Sequence, residues 1–237
     1  AINLALDKYV LVDVVKDIAP MMVGGFIYPF SEFATPIDQL KKRVGYQENP
    51  DAAIKEAKAL MSAAGYAKGF DRPLDYLVRD VPSFKVWAQA IQAMLQQNLG
   101  VQTNLRTVVE SVWFDDTQKG NFDMAIGAIV STLLDPSDYF NAWYGKSGDR
   151  FGPQNYSFWD NKPFQELTTQ IDRETDAAKR LALIRKAEDI MENDPPLVPM
   201  SWEKINDVWY NYVKGHNPYE YFGLYDCWRL DTFWLDK

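Results

Sequence analysis

Along the chain, stretches with apolar residues three and four positions apart alternate with shorter ones where they alternate or cluster. "SFKVWAQAIQAMLQQNLG" is the clearest helical stretch. Phe84, Trp87, Ala88, Ile91, Leu95 and Leu99 share one face, Ser83 suits the N-cap, and Gly100 suits the left-handed residue that ends a helix. "NPDAAIKEAKALMSAAGY" follows the same logic, with Asn49 or Asp51 as cap, Ile54, Ala57, Leu60, Met61 and Ala64 inward, and Gly65 as stop. "KPFQELTTQIDRETDAAKRLALIRKAEDIMEND" predicts two helices. The second turns Leu181, Ile184, Ala187, Ile190 and Met191 inward and stops before Pro195-Pro196. At the start, Ile2, Leu6, Tyr9, Val10 and Val14 share a helical face with no N-cap ahead of it. The chain is therefore expected to begin inside a helix, as a piece of a longer protein.

Between the helical stretches lie strand patterns. "RPLDYLVRD" and "VQTNLRTVV" alternate, while "FDMAIGAIV" and "LVPMSW" read as buried strands. A short helix from Ser111 to Lys119 separates the second from the third, and "INDVWYNYV" alternates again further on. Residues 18–50 carry Pro20, Gly24, Gly25, Pro29, Pro36 and Pro50 and read as a long irregular connection. This succession predicts an α/β fold: a mixed sheet from residues near 73–79, 101–108, 121–130 and 197–201, flanked by helices.

"IVSTLLDPSDYF", residues 129–140, interrupts a charged chain with an uncharged run and then reaches Asp135-Pro136. Asp is a preferred N-cap, Pro fits the first helical position, and Asp138 adds negative charge to the first turn. Asp135 is thus read as a cap opening a short helix through Trp143.

Composition narrows the function classes. The chain has 237 residues, of which 47% are hydrophobic, enough for a substantial core. A net charge of −8 argues against a nucleic-acid partner. Cys227 and His216 are each the only residue of their type, which excludes an internal disulfide and any cysteine- or histidine-rich metal site. His216 lies in a Gly/Pro turn and reads as solvated. No nucleophile elbow, phosphate loop or dinucleotide fingerprint is present, so no cofactor is implied. Asp115-Asp116 and Asp7/Asp13 read as solvated helix faces, although paired carboxylates in an aromatic-lined cleft keep an acid-type hydrolase open as the alternative function.

Several segments in order carry a resemblance: "NLALDK", "NPDAAIKEAKALMSAAGY", "AQAIQAMLQQNLGVQTNL", "GNFDMAI", "LDPSDYF", "RLALIRKAEDIMENDPPLVPM" and "VKGH". Together they are similar to the C-terminal half of extracytoplasmic solute-binding proteins of peptide/nickel-type ABC transporters. The resemblance implies a non-enzymatic lobe of a two-lobed trap, closing over a peptide or other small solute and delivering it to a membrane permease. It implies a periplasmic or extracytoplasmic location, with a signal peptide upstream of this sequence. Residues 1–215 would form the ligand-binding lobe, and 216–237 a tail returning to the missing first lobe.

The resemblance also places a site. Peptide-binding members carry a "GW-x-x-D" pattern before the Asp-Pro, whose acidic residue pairs with the peptide ammonium group. Here Ile129 stands at the tryptophan position and Thr132 at the acidic one, so selection of a free amino terminus is not expected. Residues 127–134 are read as cleft wall or, alternatively, as a plain buried strand. The candidate ligand-binding residues are Ile129, Val130, Ser131 and Thr132, with Trp113 and Trp202 as stacking surfaces. Glu110 is the nearest substitute carboxylate.

Overall fold

The computed structural model describes residues 1–19, 21–129, 135–203, 208–215 and 232–236. After a 3-10 turn, Asn3–Ala5, come α1 (Lys8–Asp13), β1 (Met21–Met22), α2 (Ile37–Leu40) and α3 (Asp51–Ala63). The central run is β2 (Leu74–Arg79), α4 (Pro82–Leu99), β3 (Thr103–Val108), α5 (Glu110–Lys119) and β4 (Met124–Ile126). Next are α6 (Ser137–Tyr139), a π-helical turn Phe140–Tyr144, β5 (Lys146–Ser147), β6 (Arg150–Phe151), α7 (Lys162–Arg173) and α8 (Ala177–Asn193). Three short strands close the order: β7 (Trp202–Glu203), β8 (Val213–Lys214) and β9 (Trp234–Leu235).

The α/β expectation holds, with helices packed beside a sheet. The sheet runs β3-β2-β4 with both pairings parallel, so all three strands end on one edge. The fourth expected strand, 197–201, is absent from it. Pro195 and Pro196 bend the chain as it leaves α8, and pairing begins only at β7, which runs antiparallel to β1 in a separate pair. Val198 and Met200 still pack on the core beside the sheet.

That core is built on α4. All six residues expected on its inner face are buried, and Gly100 follows with φ +68, the left-handed conformation expected of a helix stop. Ser83, expected as cap, is buried inside the helix instead, because Pro82 takes the first position and Val81 precedes it. The next helix likewise starts one residue before the expected Ser111, at Glu110.

The N-terminal segment differs most from expectation. Asp7 is an N-cap after all, accepting from the backbone N–H of Tyr9 and Val10, and it separates the 3-10 turn from α1. The break rotates the apolar face. Leu11 and Val15 become buried while Val10 and Val14 are exposed. Trp87 Nε1 donates to Leu11 O at 2.6 Å and Asn98 Nδ2 to Ala5 O at 2.8 Å, fixing this segment to α4. On α3, Ala57 and Met61 are buried as expected, but Leu60 is exposed and Ala53 takes its place.

A second core gathers α7, α8, the π-helical turn and Phe26–Ile27. Ile184, Ala187 and Met191 of α8 are buried there as the periodicity requires. Glu188, on the same helix, is also buried. It accepts from Thr35 Oγ1 at 2.6 Å and pairs with Arg185, so the irregular 18–50 connection is held down by charge-assisted bonds.

Candidate functional site

In open α/β sheets, ligands bind outside the carboxyl ends of the strands, beside the point where strand order reverses. Here the chain passes from β2 to β3 on one side and returns across β2 to β4 on the other. The edge carries Arg79 at the end of β2, Val109 and Glu110 after β3, and Gly127 to Ile129 after β4.

Arg79 organises this edge. Its guanidinium lies over the rings of Phe84, Trp113 and Phe114, with Cζ about 5.5 Å from each centroid. Its Nη2 donates to the Glu110 carboxylate, which is itself largely exposed. The buried Nε finds no partner among the described residues, nor does the buried Nε1 of Trp113. Two N–H donors of like polarity are therefore held against one another's side chains without an acceptor among the described residues. A buried unmade hydrogen bond costs about 1–3 kcal/mol, so an incoming acceptor gains what these donors lack.

Trp113 is positioned by close packing. A Cβ on Gly127 would come within 2.8 Å of Trp113 Cζ2, so glycine there lets the strand exit lie directly on the indole. Phe114 and Tyr156 meet the indole edge-on at 5.2 and 5.7 Å. Ile129 emerges from the same carboxyl edge and packs toward the second core. Trp202 serves elsewhere. Its Nε1 donates to Gly25 O at 2.9 Å, and its ring lies against Gly24 and Tyr28. Val130, Ser131 and Thr132 lie outside the described residues, as do His216 and Cys227.

Asp135, expected as the N-cap, stands one residue ahead of it: Pro136 takes the cap position without a side-chain bond, and α6 gives way to the π-helical turn after Tyr139. The Asp135 carboxylate accepts from Ser137 N at 3.0 Å and Ser137 Oγ at 2.7 Å, and it forms an ion pair with Arg180 at 2.7 Å. Burial pushes its pKa up, but the Arg180 and Ser137 bonds outweigh that and hold it below the ordinary value. The turn opening α6 is thereby tied to the first turn of α8.

The carboxylate pairs considered for hydrolysis are engaged otherwise. Asp115 pairs with Lys119, Asp116 with Arg106, and Asp13 with Lys16. The Arg106 bond keeps the Asp116 carboxyl below its ordinary pKa, the opposite of what a general acid requires. An open depression between α7 and α8, bordered by Arg173, Glu174, Lys179 and Lys186 among others, includes none of the expected site residues.

Sequence reading did not identify Arg79. An arginine closing a strand pattern reads as solvated. The usable signal was its place at the end of the strand in "RPLDYLVRD", on the carboxyl edge of an α/β succession.

Comparison with known proteins agrees with this architecture. The chain is 28% identical over 191 residues to the probable deoxycholate-binding periplasmic protein YgiS of Escherichia coli (strain K12), covering 79% of this chain and 34% of that protein. It is 23% identical over 221 residues to the periplasmic oligopeptide-binding protein OppA of the same organism, covering 92% of this chain and 39% of OppA. The chain thus spans between a third and two-fifths of these relatives' length. Haemophilus influenzae OppA, solved in complex with RPPGFSPFR, superposes over 100% of this chain and 44% of its own, with a TM-score of 0.75 at 20% identity, a likeness of fold. Residues 1–151 match the family described as bacterial extracellular solute-binding proteins, family 5 middle, and the chain belongs to that family.

Proposed function

We propose that this chain supplies a ligand-facing wall of an extracytoplasmic solute-binding protein, and that Arg79 and Trp113 receive a carboxylate of the solute. The carrying observation is the pair of buried, unpartnered donors at the carboxyl edge of the parallel sheet. An arginine fork is the geometric match for a carboxylate, and a ring of aromatic side chains lowers the dielectric around it. The solutes named for the two relatives, oligopeptides and deoxycholate, differ in almost everything except a terminal carboxylate. In this reading the solute displaces Glu110 from Arg79, Ile129 to Thr132 line the adjoining wall, and Trp202 braces the loop bearing Gly24 and Gly25.

Family membership supports the wider role. A second lobe covers the site, closure traps the solute, and the loaded protein docks on a membrane permease of an ABC importer. Residues 1–215 act as the lobe, and the remaining tail returns to the other. The protein binds and releases without chemistry.

Calorimetric titration of the full-length protein with paired probes tests the site: trialanine against its C-terminal amide, and deoxycholate against its methyl ester. Trialanine binds, each acid that binds does so about thirtyfold or more tightly than its neutral partner, and Arg79→Ala removes the difference. Equal binding of acid and neutral probes overturns the carboxylate site. Binding by none of them overturns the solute class.

A further inference from the structure

Trp113 is fixed partly by a segment without regular secondary structure. Residues 155–159 follow the β5–β6 pair, and Tyr156 carries its ring between two indoles, 5.7 Å from Trp113 and 5.7 Å from Trp143, edge-on to both. Such a segment ordinarily moves. This one is knotted by Asn155, whose side chain is buried. Asn155 Nδ2 donates to Gly145 O at 3.1 Å and Trp159 O at 2.9 Å, while Oδ1 accepts from Ser157 Oγ at 3.1 Å and Trp159 N at 3.0 Å. Both donors and both acceptor positions of the amide are in use.

A strained residue accompanies the knot. Phe158 has φ +53, the one non-glycine residue with positive φ among the described residues, and it is exposed. A bulky side chain there is a conformational outlier that surrounding contacts must hold in place. Phe158 N donates to Asn155 O at 3.1 Å, and its ring meets Phe151 edge-on. The ring also lies against Gly120, where a Cβ would come within 3.1 Å of Cε2. The segment therefore grips α5 twice, through Tyr156 on Trp113 and through Phe158 on the glycine that ends the helix.

We infer that residues 155–158 are a positioning element for the carboxyl-edge site, with Tyr156 setting the plane of Trp113 and hence the direction of its free Nε1–H. The inference rests on the solute-binding role proposed for Trp113 and Arg79. Asn155 and Phe158 act through Tyr156, and none of the three needs to touch the solute. Since Tyr156 is anchored to Trp143 and the π-helical turn, the donor direction at the sheet edge is set from the second core.

The test uses full-length protein labelled with 5-fluorotryptophan, with the Trp113 fluorine resonance assigned by its loss in Trp113→Phe. Asn155→Ala is the obvious variant but endangers folding, so Tyr156→Leu is the primary one. Without ligand, Tyr156→Leu moves or broadens the Trp113 resonance and leaves that of Trp87 in place. Trialanine affinity falls roughly five- to tenfold, the scale of one lost aromatic contact. Tyr156→Phe, which keeps the ring, restores both. An unmoved Trp113 resonance in Tyr156→Leu overturns the inference whatever the affinity does. A moved resonance with unchanged trialanine affinity overturns it too, leaving simple packing. If Arg79→Ala and Trp113→Phe both leave trialanine affinity unchanged, the solute site itself has failed, and a still-moving resonance shows that the contact was nevertheless real.

Discussion

Arg79 and Thr132 divide the question of selectivity between them. Arg79 offers a guanidinium whose Nε is buried with no acceptor among the described residues, a feature that favours a negative group. In the proposed assignment of residues 129–135, Thr132 takes the place of the carboxylate that pairs with an ammonium group, and a hydroxyl does not replace that charge. Trialanine and N-acetyl-trialanine are therefore expected to bind the full-length protein within about twofold of each other. Thr132→Asp is expected to favour the free amine by about tenfold or more, the low end of a cleft ion pair. Competitive titration of the two peptides decides. A strong wild-type preference for the free amine removes the assignment of residues 129–135. Glu110 is then an awkward substitute, because it already pairs with Arg79. At this scale the sequence was partly legible. Asp-Pro chemistry marks Asp135 as a helix cap, and the structure makes it instead an acceptor for Ser137 one residue ahead of the cap; its ion pair with Arg180 joins residues 45 positions apart, and no local pattern records it.

Elements were legible where periodicity was long. On α4 the apolar face, the stop at Gly100 and the burial all agree, because eighteen residues leave little room for another register. At the N-terminus the short apolar pattern does not mark the buried face, since Asp7 splits it and turns Leu11 and Val15 inward. The same rearrangement buries Lys8, which nothing in its sequence neighbourhood announced. Lys8 Nζ donates to Asn3 Oδ1 at 2.7 Å and lies 4.9 Å from the centre of the Tyr46 ring, while Tyr46 bonds Glu192 of α8. Burial lowers the Lys8 pKa to about 8, only partly offset by Glu192 and Asp7. The folded state then holds fewer protons than the unfolded state between about pH 8 and the ordinary lysine value of 10.5, so stability rises with pH across that window. Relative to Lys8→Met, in which tyrosine ionisation contributes equally and cancels, the wild-type chain is expected to gain up to ~2–3 kcal/mol between pH 8 and pH 10. Urea unfolding of both proteins at the two pH values measures this. Parallel pH dependences rule out a buried charged Lys8.

The whole molecule was legible chiefly as an ordered set of weak segments. None of them locates the site alone, and periodicity could not show that β2 lies between β3 and β4 or that their shared edge gathers Arg79, Trp113 and Gly127. The aromatic residues toward the end of the chain make a similar point. Trp209, Tyr210, Trp234 and Leu235 are exposed around the β8–β9 pair, a surface suited to the second lobe of the proposed trap. Whether a solute carboxylate sits on the carboxyl edge of the parallel sheet is decided by a crystal structure of the full-length protein grown with trialanine. The peptide carboxylate is expected within roughly 2.7–3.2 Å of Arg79 and Trp113 Nε1, with Glu110 displaced. A peptide bound with its carboxylate elsewhere, and Arg79 still paired with Glu110, contradicts this placement.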